Sequence, residues 1–308
     1  MITRVIPALW ALFLGVLSTT ALASDGSGSG HSCWQSLAFG ASRGFLSASI
    51  TLDYESSEVD ALTELPKDMP PRKAQLPISH DLKKITASFA AMRSKGEQQI
   101  WYDPNRTQVL QLHRTSIGSS RSRAKLYRFL TDGVYRERRE PLEGSKDDLQ
   151  SWTITSRQVV DYPQDRAKGL PVLNSSMLLG EAASMADANE ARRTVLAFTD
   201  TQLFRVQLES RGIETYKAKF IINQDGEQQR IKGKRKVMRI GIEASLLGDD
   251  EEDKPFTLLE LSGDLSILID LEYGLPILVE GSWYRIGTIP AALEQASLLA
   301  STTPDCAH

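Results

Sequence analysis

The sequence predicts a mainly β protein: a curved antiparallel sheet, or half-barrel, of about 10–11 strands with one or two helices packed against it. Three observations carry this. Apolar residues alternate with polar ones at period two through most of the chain, as on strands with one wet face. The connections between these runs are short and hold turn residues, which favours antiparallel pairing. No strand–helix–strand rhythm and no Gly-x-Gly-x-x-Gly after a strand is present, which argues against a nucleotide-binding α/β fold.

In the 308-residue chain, residues 1–23 have the form of a cleaved signal peptide. Arg4 supplies a positive start, residues 5–17 are almost wholly apolar, and Ala21-Leu22-Ala23 is a small-residue cleavage site. A retained anchor is the competing reading, but the apolar run is short for a bilayer span. Cys33 follows Gly30-His31-Ser32, a poor context for lipid attachment. Without residues 1–23 the chain keeps 35 basic against 39 acidic residues, a net charge of −4. A mildly acidic exported protein is a poor candidate for nucleic acid. Cys33 and Cys306 are the only cysteines. In an oxidising compartment they can pair and tie the ends together; the other reading is two thiols on flexible tails.

Residues 24–43, opening SDGSGSG, read as a flexible segment, and the fold is expected to begin near Gly44. Leu46, Ala48, Ile50, Leu52 and Tyr54 share one face, with Ser47, Ser49, Thr51 and Asp53 opposite. A proline-rich loop is expected at about 60–80, where Pro66, Pro70, Pro71 and Pro77 sit among charges. Ile85, Ala87, Phe89 and Ala91 form the next alternation, and WYDPN followed by TQVLQL reads as a hairpin. Residues 126–130 turn through Thr131-Asp132-Gly133 into Val134-Tyr135, and residues 152–160 give another strand. Leu178, Leu179, Ala182, Ala183, Met185, Ala186 and Ala188 leave one apolar stripe of a helix, interrupted by Gly180.

Strand pattern returns at Thr194, Leu196 and Phe198, then at Phe204, Val206 and Leu208, then at Tyr216, Ala218, Phe220 and Ile222. Asn223-Gln224-Asp225-Gly226 turns back toward Ile231, and residues 236–242 continue the pattern. The acidic run DDEED at 249–253 precedes a strand at 256–261. The densest β signal is residues 265–293, read as a core hairpin with turns at Gly274-Leu275-Pro276 and at Gly281. Ala-rich residues 291–300 suggest a short terminal helix. The expected organisation is a single β-rich domain over 44–293 and a C-terminal tail over 294–308.

Catalytic chemistry is sparse. His31, His80, His113 and His308 show no metal-ligand spacing, and no Gly-x-Ser-x-Gly elbow is present. His113 reads as a residue at a hairpin end. Asp270 reads as a cap for the turn amides before Gly274, on the less buried face of its strand. No catalytic residue, cofactor or metal is assigned. Candidates for lining an apolar cavity are Leu46, Ile50, Phe204, Val206, Phe220, Ile267 and Ile269, which are equally apt as packed core. Two basic clusters stand out, one including Arg121, Arg123 and Lys125, the other Arg230, Lys232, Lys234 and Lys236. Each reads as a solvated sheet face balanced by DDEED, or as a face for an anionic surface such as lipid headgroups or acidic polysaccharide.

Leu170-Pro171-Val172-Leu173 before the helix, the runs TQLFRVQLESRG and ETYKAKFIINQDG, and the closing Ser266-Ile267-Leu268-Ile269-Asp270 with Gly274-Leu275-Pro276-Ile277-Leu278-Val279 carry a resemblance. Across residues 44–293 the chain resembles the DUF3108 family of exported bacterial proteins, whose fold is similar to the LolA/LolB-like half-barrel of periplasmic lipoprotein carriers. The proline-rich insertion, the acidic loop and the lack of a tryptophan before the acidic turn depart from the family pattern. The resemblance implies a periplasmic location and an envelope-related or hydrophobic-ligand role, with no catalytic residue. The expected function is therefore non-enzymatic: binding or helping to assemble envelope components, with a lipid-like or anionic envelope ligand or a periplasmic protein as partner. The alternatives are an acid-pair enzyme acting on envelope polysaccharide, which needs two carboxylates in an open cleft, and a protein–protein interaction module.

Overall fold

The computed structural model describes residues 33–43, 46–62, 76, 78, 81–91, 94–118, 122–142, 151–164, 166, 169–248, 254–283 and 287–300. The expected signal peptide and most of the proline-rich loop lie outside them, as do the acidic run at 249–253 and Cys306. Period-two alternation does what half-buried strands require. In β2 (Leu46–Ser57), Ile50 and Leu52 are buried while Ser47, Ser49 and Asp53 are exposed. Antiparallel pairing aligns such faces across β3 (Leu82–Ala91), β4 (Ser94–Asp103), β5 (Gln108–Ile117) and β6 (Ser122–Phe129). One register row runs Tyr54, Ile85, Ile100, Leu112, Tyr127 and forms the inner face of the sheet.

With β1 (Trp34–Arg43), β7 (Gly133–Glu140) and β8 (Thr153–Asp161), these strands make one meander in chain order. A second meander holds β10 (Arg192–Thr199), β11 (Gln202–Gln224), β12 (Glu227–Leu247), β13 (Ser262–Asp270), β14 (Leu275–Trp283) and β15 (Gly287–Leu298). The two join where β1 pairs antiparallel with β15, so the first and last described strands are neighbours in mid-sheet. The short β9 (Val172–Asn174) lies parallel to β10 at the far edge. The sheet thus has 15 strands among the described residues, mainly antiparallel as expected.

The second meander also closes on itself. Past a bulge at Ser210–Ile213, β11 leaves β10, and Ile221–Asn223 pair in parallel with Gln295–Ser297 of β15. Strands β11 to β15 therefore form a ring of five. The bulge falls where the sequence suggests two separate hairpins. Gly212, at φ +98°, lets the chain kink and remain a strand.

Asn174 Oδ1 accepts the Ser176 N–H at 3.0 Å and starts a 3₁₀ turn that runs into α1 (Leu178–Asp187). The predicted stripe is buried up to Ala186: Leu178, Leu179, Ala182, Ala183, Met185 and Ala186 pack into the same continuous core as both meanders, whereas Ala188 caps the helix and is exposed. The free edge of the second meander turns in against the inner face of the first. The side-chain amide of Gln108 pairs with the backbone of Val172 in both directions, at 3.0 and 3.2 Å. Phe198 meets Tyr127 and Phe129 edge to face. Asp200, in the β10–β11 turn, takes hydrogen bonds from Lys125 and Tyr127 and faces Arg136 at 3.4 Å.

Five expectations need correction. Residues 34–43 are a central strand, not part of a flexible segment, and residues 291–298 continue β15 rather than forming a terminal helix or tail. Gly281 lies inside β14 instead of at a turn; a Cβ there would sit 2.7 Å from Leu265 and 2.8 Å from Leu261. Residues 258–261 are a tight reverse turn, with Leu259 and Glu260 at φ +50° and +66°. His113 lies mid-strand in β5, edge-on to the Trp101 ring at 4.9 Å, and burial pushes its imidazole down to about 4.

Candidate ligand site at the mouth of the sheet

The inner face of β1–β4 is packed by aliphatic side chains at its centre and by larger, polar-tipped ones at one end. There the start of β1, the end of β2, the start of β3 and the end of β4 meet the first turn of α1. Between them lies a cleft of about 380 Å³, within the usual range for small-molecule sites and roughly a dozen waters in volume. Trp34, Tyr54, Ile85, Tyr102 and Met177 give it an apolar and aromatic wall. Lys83, Ser56, Glu55 and Glu181 supply polar groups around it.

The wall is built by register. Tyr54 pairs with Ile85, and Ser56 with Lys83, which in turn pairs with Tyr102, so these side chains share the inward parity of the core. Trp34 and Tyr54 lean together with ring centroids 6.0 Å apart. Trp34 is buried and Tyr54 half-buried with its hydroxyl enclosed, and neither the Trp34 indole N–H nor the Tyr54 hydroxyl has a hydrogen-bond partner. Burial raises the Tyr54 phenol well above its ordinary range and the Tyr102 phenol to about 12, so both stay protonated. Lys83 donates to Ser56 Oγ at 3.1 Å.

Gly180 brings the helix backbone to the cleft, with no atom within 4 Å of where its Cβ would stand. The two carboxylates at the site are committed elsewhere, Glu55 to Lys84 at 2.6 Å and Glu181 to Arg193 at 2.8 Å. Cys33, next to Trp34, is disulfide-bonded, and its carbonyl accepts the Leu299 N–H at 2.8 Å, beside the cleft. The chain's other cysteine, Cys306, lies outside the described residues.

The sequence candidates fall elsewhere. Ile50, Phe204, Val206, Phe220, Ile267 and Ile269 are packed core, and none lines the cleft; the Leu46 side chain lies outside the described residues. Of the first basic cluster, Arg121 is outside the described residues, Arg123 is half-buried and Lys125 points inward to Asp200. Arg114 and Arg139 of the same region pair with Glu260 and Glu137. Much of this cluster is engaged in ion pairs, some buried and some exposed, rather than spread as an unpaired solvated face. Arg230, Lys232, Lys234 and Lys236 are exposed along β12. Asp270 does cap the turn, accepting the Glu272 and Tyr273 N–H groups at 3.0 Å. It is nonetheless fully buried, because Arg235 clamps it with two bonds at 2.7 and 3.0 Å.

Among the described residues no group of three or more His, Cys, Asp or Glu is placed to hold a metal, and no helix is long and apolar enough to cross a membrane. Comparison with protein-family models, with curated proteins and with solved structures found no match.

Proposed function

We propose that this chain is a non-enzymatic binding protein of the cell envelope whose cleft takes a lipid-like, amphipathic ligand. The observation that carries this is the make-up of the cleft, an aromatic and aliphatic wall with charged groups around it. An acyl or isoprenoid segment fits against Trp34, Tyr54, Ile85 and Met177, and a polar end fits Lys83 and Ser56. Export to the periplasm is part of the proposal and accounts for a disulfide-bonded Cys33. An acid-pair hydrolase is less well supported: the carboxylates at the cleft, Glu55 and Glu181, are each engaged in an ion pair, with Lys84 and Arg193.

The test combines mass spectrometry of solvent extracts from the natively purified protein with binding of a fluorescent fatty-acyl probe. Gly180→Trp places a large side chain in the cleft; Gly180→Ala, stabilising by about 0.5–1 kcal/mol, controls for folding. A bound lipid and probe uptake lost only in Gly180→Trp are expected. An empty extract without probe uptake, or equal uptake by Gly180→Trp, refutes the assignment.

A further inference from the structure

The distal half of the β11–β12 hairpin carries a feature that the cleft does not use. Ala218, Phe220 and Ile222 on β11 and Ile231 on β12 are buried, so this ribbon packs one face on the protein. Its other face presents Lys217 and Lys219 from β11 and Arg230, Lys232, Lys234 and Lys236 from β12, all exposed. Register sets like charge opposite like charge, Lys217 against Lys234 and Lys219 against Lys232. Such pairs are destabilising in isolation. Their number is not matched by acids: among the described residues none of these six cations makes an ion pair. Of the acids around the ribbon, Glu272 is engaged with Arg235 and Glu214 with Arg239, and Asp225 and Glu227 stand at the hairpin turn. DDEED, at 249–253, lies outside the described residues.

The chemistry of the face narrows the partner. It runs about 20 Å from Arg230 to Lys236 and takes no part in lining the cleft. Five of its six cations are lysines, point charges without the planar fork that reads one phosphate or carboxylate geometry. It bears no aromatic ring on which a sugar could stack, its uncharged members being Thr215, Ile221, Asn223 and Gln228. A surface of this kind responds to a field rather than to a shape. We propose that the ribbon is a docking face for the anionic headgroup plane of a phospholipid bilayer. The inference is independent of what the cleft holds: docking is read on vesicles, uptake on bound lipid, and either can fail alone.

The experiment is flotation of the full chain with vesicles of mixed phosphatidylglycerol and phosphatidylcholine, and with phosphatidylcholine alone. Binding is expected to the anionic vesicles only and to fall steeply with salt. Each cation near such a surface contributes about fivefold in affinity, so Lys232→Ala/Lys234→Ala should bind about thirty-fold more weakly. Lys217→Ala/Arg230→Ala should repeat that loss, whereas Lys95→Ala/Arg205→Ala, which removes the same charge elsewhere, should not. Relief of the like-charge pairs should leave the melting temperature of Lys232→Ala/Lys234→Ala unchanged or raised. Failure of the wild type to float with anionic vesicles, or flotation of both face variants equal to that of the wild type, overturns the proposal. So does binding to soluble polygalacturonate with no binding to vesicles, which assigns the face to an acidic polysaccharide.

Discussion

Asp200 joins the second meander to the inner face of the first, and its titration tests whether that contact holds the sheet together. Lys125 and Tyr127 donate to its carboxylate and Arg136 stands 3.4 Å away. Burial opposes the charge, but these three groups outweigh it and pull the carboxyl down to about 2. An aspartate in an unfolded chain titrates near 3.9. The folded value is the lower one, so the contribution is complete above about pH 4 and is lost as pH falls through about 2. The difference is worth about 2.5 kcal/mol. Burial also lowers Lys125 despite its partner, so Asp200→Asn leaves a buried ammonium without its anion. With the Asp200 side chain 29% exposed, the loss at pH 7 should be about 3 kcal/mol, the lower end for breaking a buried pair. The assay is denaturant unfolding followed by tryptophan fluorescence from pH 7 down to pH 2, wild type against Asp200→Asn. The two stabilities should differ by about 3 kcal/mol at pH 7 and converge toward pH 2. Parallel curves across that interval would falsify the account of Asp200 as an ionised tie.

Two further outcomes probe the second meander and the disulfide. Gly281→Ala should cost about 1–3 kcal/mol, because its methyl group would collide with Leu265 and Leu261 in the packed interior; an unchanged melting temperature would mean that β14 and β13 are not so closely apposed. Reduction should lower the melting temperature, and alkylation without reductant should leave the mass of the native protein unchanged, since Cys33 is already bonded. Uptake of alkylating agent by the unreduced protein would contradict this.

Much of the fold was legible because half-buried strands write their faces at period two. The alternation at Ile50, Leu52 and Tyr54 and the hairpin at Asp103 and Gln108 appear where the pattern puts them. The strands that escaped are those whose period breaks. In β1 the buried residues are Trp34, Leu37 and Phe39, with a register shift after Trp34. In β15 they are Ile289, Ala291, Leu293, Ala296 and Leu298, with Glu294 as the extra residue where Ala38 and Phe39 oppose Gln295 and Leu293. A bulge shifts the buried set to the other parity, and alternation then looks like noise. Alanine-rich composition completed the disguise in β15, where pairing on both sides overrides helix propensity.

The cleft was hidden for a different reason. Aliphatic residues at strand centres are the best sequence candidates for lining a cavity, but they are also the ones that close-pack, and here they fill the space instead. Open volume survives where packing is hardest to complete, at strand ends and beside a helix whose first turn carries a glycine. Trp34, Tyr54, Tyr102 and Gly180 come from four separate segments, so no local motif records their meeting. What the sequence does hold is a subtler signal: Tyr54 and Tyr102 keep the inward parity of their strands yet end in a hydroxyl. A polar tip at an inward position needs either a protein partner or a ligand, and the unpartnered Tyr54 hydroxyl is the point at which that question arises.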